Sequence, residues 1–400
     1  MAGLAGCGGG SNNGGGGNTG GGNPTTVTYD FSSGPAPSAV ATQIGTGAFT
    51  QAAISAGKLT VSIPDGETNY TVVYACPTYT ISDVAQNFEG VIRANIQDGS
   101  SFSRTCKGLP SSTSTDMATL QVNPAAIPGA AYVSVQGSAQ PWTSGTLSVS
   151  TLMTAGNSDI AVYVADASGK VLAVRILRNQ TIPGVLNGGN PVVFETSDET
   201  QLEAISYSSV PAGFSAAPPS IQFNTADGAV VPLGIDVTTQ YPAIASAAVQ
   251  SGDYYSFGGE AFNGGSNEYV AVQTNTASGG SQVLNLPAGW TYAGPSPAAL
   301  PTFNFDYTGF SGKPDVSDGA DLNWWVGTTS ENQFAMSATA SYQNGATSLS
   351  VPGLSGLTGF LAPAPTGTKV VWTAQIYQGI LSAGSGSQSI VIDSGSYTEP

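Results

Sequence analysis

The segment KLTVSIPDGETNYTVVYAC, residues 58–76, shows the pattern that decides the fold. Apolar and polar residues alternate over 58–63, which is the two-residue period of a strand that buries one of its faces. Pro-Asp-Gly-Glu at 64–67 is typical of a turn, and a second alternating run covers 70–76. The segment therefore predicts two short strands with a turn between them, and it places Cys76 on the buried face of the second strand.

The same alternation of strands and polar turns continues along the chain. Three further strand pairs are predicted, each around a glycine-containing turn: 160–164 with 171–178, 221–225 with 230–235, and 334–342 with 347–351. Only 8% of the residues are charged, against ~25% in ordinary globular domains. The small and polar residues that replace them are typical of strands and turns. We predict an all-β fold built of antiparallel β-sandwiches.

One turn motif recurs at the predicted strand ends. An aliphatic residue, a proline and a nearby glycine occur at 127–129, 210–213, 286–289 and 351–353, with steps of 83, 76 and 65 residues between the prolines. Ordinary turn chemistry is one explanation, since proline ends ladder pairing and glycine permits the turn. The Val-Pro-Ala-Gly turn at 210–213 also resembles the Leu-Pro-x-Gly turn found late in fibronectin-type-III modules.

That resemblance implies tandem sandwiches of the immunoglobulin-like or fibronectin-type-III-like class, which hold up to about 100 residues each. The predicted organisation is a glycine-rich leader at 1–25 followed by β modules at 26–125, 126–214, 215–296 and 297–400. As an alternative, 215–400 forms one larger β domain.

The N-terminus suggests a membrane anchor. Leu4-Ala5-Gly6-Cys7 resembles the lipobox of bacterial lipoproteins, which implies cleavage before Cys7 and a lipid on that cysteine. Within that family, Gly8 implies that the protein is not retained in the inner membrane. The alternative is a chance match. Met1 to Gly3 are too short to supply the basic and apolar regions of a signal peptide, so we expect a longer natural leader.

Residues 8–23 contain only Gly, Asn, Ser and Thr. Such a segment cannot bury apolar surface, so we predict a disordered tether that ends where the folded part starts, near Thr26. Tether and anchor together predict an exported protein of the cell envelope, held on the outer membrane or cell surface through its lipid.

Negative charge is concentrated in the second half of the chain. Residues 1–178 hold seven basic and nine acidic residues, whereas 179–400 hold two basic and sixteen acidic residues, a net charge of −14 out of −16 for the chain. Such a surface repels phosphate groups. The sequence therefore predicts no nucleic-acid partner and leaves the lipid, envelope proteins or glycans as partners.

Three cysteines are present. If Cys7 carries a lipid, Cys76 and Cys106 remain, and two remaining cysteines in an exported protein most simply form a disulfide. The alternative is two buried thiols.

The chain contains no histidine. Ser-His-Asp and Cys-His nucleophile systems and histidine metal sites are therefore excluded. Carboxylate chemistry, Ser-Lys chemistry, calcium binding or a non-catalytic role remain, and we expect the last.

Two groups of residues are candidate sites. Asp315, Asp318 and Asp321 surround a predicted glycine turn and could hold calcium, a cation that prefers oxygen ligands. The alternative is an ordinary polar loop, and no other cofactor is predicted. Trp290, Trp324 and Trp325 lie in the acidic half, where an exposed indole could stack on a sugar ring. The alternative for these tryptophans is packing against a neighbouring module.

Three functions are compatible with these features. The preferred one is a non-catalytic, lipid-anchored envelope protein that acts as scaffold, adhesin or spacer. The first alternative is a glycan-binding surface protein that uses the acidic, tryptophan-bearing half. The second is a glycoside hydrolase that uses carboxylates only.

Overall fold

The computed structural model describes most of the chain after the predicted tether. The described residues are 24–106, 115–184, 186–234, 238–264, 267–289, 294–305, 316–326, 330–344 and 346–400, with the backbone alone for 316–326 and Ile380. More than half of them lie in strands, which pair mainly in the antiparallel direction, so the predicted all-β class is confirmed. The first strand begins at Thr25, next to the predicted start of the folded part.

The strands before residue 125 are β1 (Thr25–Asp30), β2 (Ala39–Ile44), β3 (Thr50–Ala52), β4 (Lys58–Ile63), β5 (Asn69–Ala75), β6 (Tyr79–Ile81), β7 (Val84–Asn95), β8 (Ser101–Ser103) and β9 (Thr115–Asn123). Those up to residue 216 are β10 (Tyr132–Val135), β11 (Ser138–Pro141), β12 (Leu147–Thr154), β13 (Gly156–Ala165), β14 (Val171–Ile182), β15 (Val192–Val193), β16 (Gln201–Ser209) and β17 (Phe214–Ala216).

The later strands are β18 (Ser220–Asn224), β19 (Val230–Gly234), β20 (Gln240–Ala243), β21 (Tyr254–Asn263), β22 (Tyr269–Thr276), β23 (Gln282–Asn285), β24 (Thr302–Asn304), β25 (Val316–Val326), β26 (Ser330–Ala338), β27 (Ser348–Ser350), β28 (Lys369–Ser382) and β29 (Ser385–Thr398). Helical structure in the described residues is limited to α1 (Ala340–Gln343) and the short 3-10 turns Ile96–Asp98, Leu186–Gly189, Thr196–Asp198 and Ser246–Ala248.

Residues 58–76 contribute one strand to each of two facing sheets. Both predicted strands are confirmed, as β4 and β5. Strand β4 pairs with β1, whereas β5 pairs with β2 and β7, so the turn at 64–67 carries the chain from one sheet to the other. The alternating apolar residues of both strands meet in one buried cluster, which includes Leu59, Val61, Ile63, Tyr70 and Val72.

A disulfide closes this first core. Cys76 and Cys106 are bonded with their Cα atoms 5.3 Å apart, so the predicted bridge is confirmed. Both cysteines are buried in the same cluster as Phe31 and Tyr74. The bridge therefore ties the segment after β8 to the end of β5.

A second sandwich follows. Strands β12, β9 and β15 form one sheet, and β11, β10, β13 and β14 form another. The predicted pairing of 160–164 with 171–178 is confirmed as β13 and β14. By its pairing, β9 belongs with the strands of the predicted 126–214 module. The buried residues of this sandwich include Leu120, Val122, Val149, Val162 and Phe194.

The largest sheet joins distant parts of the chain. In the described residues it has 14 strands, ordered β19-β18-β21-β22-β29-β28-β25-β26-β7-β5-β2-β3, with β17 beside β21 and β6 beside β7. Its central link is the parallel pairing of β7 with β26, which joins strands from the first and last predicted modules. Whether the predicted ranges fold as separate domains stays a prediction.

Two of the local hairpin predictions have different outcomes. The pairing of 221–225 with 230–235 is confirmed as β18 with β19. The pairing of 334–342 with 347–351 is wrong, because the chain leaves β26 through the short helix α1, and β27 pairs with β24 instead. The Thr339 side chain accepts a hydrogen bond from the Tyr342 amide and so starts α1, and Asn344, in the left-handed conformation, ends it.

The bridge gives the first prediction. Replacing both Cys76 and Cys106 by serine is expected to lower the free energy of unfolding, because the cysteines are 30 residues apart. The chain-entropy model gives a loss of about 3–4 kcal/mol for a loop of this size. Urea denaturation followed by circular dichroism measures it, with Cys7→Ser as the matched control that should leave stability unchanged. Equal stability of the double variant and the wild type would contradict the prediction.

Candidate functional site

The described residues form a partly open cavity of about 350 Å³ beside the central link. It is bounded by β7, β26, the first residues of β28, the end of β29 and the connection 351–368, which we call the covering loop. Its walls are mainly apolar and include Leu300, Phe334, Val351, Leu354, Phe360 and Val370. The Val-Pro-Gly turn at 351–353, one of the recurring turns, forms part of the wall.

Contacts with the N-terminal strands hold the covering loop in place. Gln51 Nε2 donates a hydrogen bond to the Thr358 carbonyl over 3.3 Å. Gly359 lies against Ala39 at φ +86°, and a Cβ atom there would be only 2.8 Å from the Ala39 Cβ, so glycine is required by both space and conformation. The loop from the last part of the chain is therefore fixed against β2 and β3 from the first.

Glu89 is the most buried charged side chain at the cavity. It lies on β7, where its neighbour in the parallel ladder is Phe334, and it is 1% exposed. Its Oε2 accepts a hydrogen bond from the Leu361 amide of the covering loop over 2.9 Å. Burial raises the pKa of the Glu89 carboxyl to about 7, although the amide hydrogen bond opposes the shift.

Glu399 supplies a second buried carboxyl. Inward-facing residues alternate along β29 through Val391 and Asp393, and Glu399 continues that row just after the strand ends. The residue is 5% exposed, and its Oε2 is buried without a hydrogen-bond partner among the described residues. Burial raises the pKa of this carboxyl as well. An orphaned buried oxygen is costly, and a bound group could supply the missing partner.

Tyr397 completes the polar groups at this end of the cavity. It pairs with Val370 in the β28–β29 ladder, and its hydroxyl donates a hydrogen bond to the Ala298 carbonyl over 3.4 Å. Burial, with a smaller effect of the negative charge on Glu399, raises its pKa to about 12. The phenol therefore stays protonated at neutral pH.

Glu89 and Glu399 place two carboxyls at one cavity, and burial raises the pKa of both. A glycoside hydrolase also uses two carboxyls, one protonated and one ionised. The described residues that line the cavity include no asparagine, glutamine, arginine or tryptophan, which bind sugar hydroxyls and rings. The cavity instead has the composition of a binding site for an apolar molecule.

A second depression lies between two of the recurring turns. Residues from 209–214 and 286–289 line it together with Asn263 and Glu268. Glu268 is buried, and a Cβ atom on Gly289 would lie 2.5 Å from its Oε1. Two of the recurring aliphatic-proline-glycine turns therefore lie next to each other in the fold. The depression between them is more polar and more open than the cavity at Glu89.

Most of the predicted site residues fall where side chains are not described. Cys7, Trp290 and Asp315 lie outside the described residues. Asp318, Asp321, Trp324 and Trp325 lie in β25, of which the backbone alone is described. Their proposed roles, calcium binding and stacking on a sugar ring, stay predictions. Among the side chains that the structure describes, no group of three Asp, Glu, Cys or His residues is placed to hold a metal ion.

The glycine turn expected around Gly319 falls inside β25, at a break in its pairing. Pairing with both β26 and β28 begins at Ala320 and includes Asp321. Asp318 and Gly319 lie in the register shift between Val316 and Ala320, where the ladder is interrupted.

Sequence reasoning missed both cavity carboxyls. Glu89 lies two residues before Val91 in β7, so both side chains point to the same face of the strand, and Val91 is in the core. This two-residue spacing is the sequence feature that could have predicted a buried acid. Its burial depends on the covering loop, about 270 residues further along the chain. Glu399 had no comparable pattern around it.

Comparison with known proteins gives no match: no protein-family model, no curated protein and no solved structure is significantly similar to the chain. No helix among the described residues is long and apolar enough to cross a membrane. Evidence for the function of the protein therefore comes from the cavity and from the sequence.

The raised pKa of Glu89 predicts a pH-dependent stability. The unfolded carboxyl has the ordinary pKa of 4.5 and the folded one a pKa of about 7, so the folded state binds more protons between these values. The stability that this group contributes is complete below pH 4.5 and is lost as the pH rises through 7. Glu89→Gln keeps an acceptor for the Leu361 amide and does not titrate. Above about pH 8 it should exceed the wild type by about 3 kcal/mol.

Denaturant titrations from about pH 4 to pH 8 measure this difference. The exposed acid Glu67 provides the matched control, since Glu67→Gln should keep the pH dependence of the wild type. The prediction fails if Glu89→Gln and the wild type lose stability in parallel as the pH rises.

Proposed function

We propose that the protein is a non-catalytic, lipid-anchored protein of the cell envelope that binds a small apolar molecule in the cavity under the covering loop. The observation that carries the binding role is the cavity itself. It is about 350 Å³ in volume, is lined mainly by aliphatic and aromatic side chains, and is partly covered by a loop anchored to distant strands. Apolar clefts and cavities with a few polar groups are the usual form of small-molecule sites.

The non-catalytic part of the proposal follows from the side chains available. The chain has no histidine, the group that most often moves protons near neutral pH. Burial raises the pKa of both carboxyls at the cavity, and the described residues that line it include no lysine or arginine. These residues can hold and orient a ligand.

The envelope location rests on the sequence Leu4-Ala5-Gly6-Cys7 and the glycine-rich tether. A lipid at Cys7 followed by about twenty flexible residues would let the folded part stand off the membrane while staying attached. A scaffold or spacer role is compatible with this arrangement, because the 14-stranded sheet is a continuous framework.

The anchor predicts a specific behaviour of Cys7→Ser. Produced behind a lipoprotein signal peptide in a Gram-negative bacterium, the wild type should partition into the detergent phase of Triton X-114 and incorporate labelled palmitate. The Cys7→Ser variant should enter the aqueous phase without label. Equal partitioning of the two proteins would remove the lipid from the proposal.

The cavity predicts binding of a neutral apolar probe. N-phenyl-1-naphthylamine should gain fluorescence with the wild type, and Ala364→Phe should abolish that gain because a phenyl group would occupy the cavity that Ala364 lines. The matched control is Ala126→Phe, a change of the same size on an exposed loop of the second sandwich, which should keep the gain. Fluorescence that is absent from the wild type, or that survives in Ala364→Phe, would contradict the proposed function.

A further inference from the structure

A buried acid without a partner faces the cavity. Glu399 is only 5% exposed, so water does not surround its carboxyl, and its Oε2 has no hydrogen-bond partner among the described residues. Leaving such an atom unsatisfied costs free energy, so a ligand that donates a hydrogen bond to it gains more than the ordinary value of one bond. The neighbouring Glu89 is already held by the Leu361 amide, which makes Glu399 the open position.

The charges around the cavity select the kind of donor. In the part of the chain that the structure describes, the ionisable groups that line the cavity are Glu89, Glu399 and Tyr397, without a lysine or an arginine. A ligand carboxylate would face two acids without a counter-ion, which disfavours fatty acids. An ammonium group would donate to Glu399 and compensate its charge in a site of low dielectric, where a paired hydrogen bond between charges is strong.

The apolar walls select the rest of the ligand. The body of the cavity is lined by apolar side chains such as Leu300, Phe334 and Val370. The polar side chains among the described lining residues are the two acids, Ser355 and Tyr397. An alkyl or aryl group would fill this space by burying apolar surface. A polyamine would instead place additional cations against apolar walls, at a large desolvation cost.

Building on the proposed function, we infer that the cavity selects amphipathic monoamines, with the ammonium group at Glu399 and the apolar body between Leu300, Phe334 and Val370. Binding of the cation keeps Glu399 ionised. Since burial holds the pKa of the empty carboxyl above its ordinary value, amine binding releases a proton from part of the population. The affinity for amines should therefore rise with pH through the weakly acidic range, while the affinity for neutral ligands should not.

The test compares octylamine with 1-octanol, which has the same chain and a neutral head, and with octanoate. Each competes with N-phenyl-1-naphthylamine for the full-length protein. Octylamine is expected to displace the probe at least about tenfold more tightly than 1-octanol, and octanoate more weakly than both. The ratio of octylamine to octanol affinity should fall as the pH is lowered from about 8 to 5.

Two variants locate the preference. Glu399→Gln is expected to reduce the amine-to-alcohol ratio to about one. Asp393→Asn removes a buried acid from the same face of β29 that does not line the cavity, and it should keep the wild-type ratio.

The outcomes separate the two proposals. If the probe binds but octylamine and octanol compete equally, or if the preference survives in Glu399→Gln, the inference is overturned and the apolar site stands. If the wild type does not bind the probe, the proposed function fails first. A preference that disappears in Glu89→Gln and persists in Glu399→Gln would also overturn the assignment to Glu399.

Discussion

The parallel ladder between β7 and β26 is the interaction on which the rest of the structure depends. Nine residues of each strand are in register, from Ala85 beside Ser330 to Arg93 beside Ala338. On one side of the ladder the sheet continues with N-terminal strands, and on the other side with strands from residue 214 onward. Without this pairing the sheet would divide into two parts with unpaired strand edges, which are prone to aggregation.

Side chains reinforce both ends of the ladder. Near the start, the Asn87 amide donates hydrogen bonds to the side chains of Ser330 and Asn332, each over 3.0 Å. Near the end, the Thr339 hydroxyl donates to Asp98 over 2.6 Å, and Arg93 donates to the Ser350 carbonyl over 2.6 Å. These contacts fix the position of α1 and of the segment that leads into the covering loop.

The cavity is a consequence of the same pairing. Glu89 and Phe334 are neighbours across the ladder, so closing it places an N-terminal acid beside a C-terminal aromatic ring. The covering loop then contacts Ala39, Gln51 and Glu89 and excludes water from the carboxyl. The raised pKa of Glu89 is thus a result of tertiary structure. The tight fit extends to the opposite face of β7, where the Tyr74 ring lies so close to Gly90 that a Cβ atom would be 2.3 Å from its Cζ.

The parts that were predictable from the sequence are those set by local chemistry. Strands β4 and β5 follow from the two-residue alternation of apolar side chains, and the Cys76–Cys106 bridge follows from the small number of cysteines. The hairpin expected after β26 was wrong because Thr339 begins a helix, a competing local preference. The turn preference of Asp318-Gly319 coincides with an interruption in the pairing of β25, which is regular only from Ala320 onward.

The long-range pairings had no comparable signal. Residues 87 and 332, which are 245 positions apart, carry ordinary asparagine side chains whose contact no spacing rule predicts. Parallel strands also lack the turn chemistry that marks a hairpin. The sequence alone therefore does not distinguish Glu89 and Glu399 from exposed acids, because only the tertiary structure buries them.

The most direct test of this account is native-state hydrogen exchange at increasing urea concentration, read on peptides from 85–93 and 330–338. If the ladder joins the two parts into one cooperative unit, both peptides should open with the same free energy and the same urea dependence. Peptides from β9 and β12 in the second sandwich provide an internal comparison, because that sheet does not include the ladder. Exchange of 330–338 at a markedly lower free energy than 85–93 would contradict the account, because the C-terminal strands would then detach while β7 remains folded.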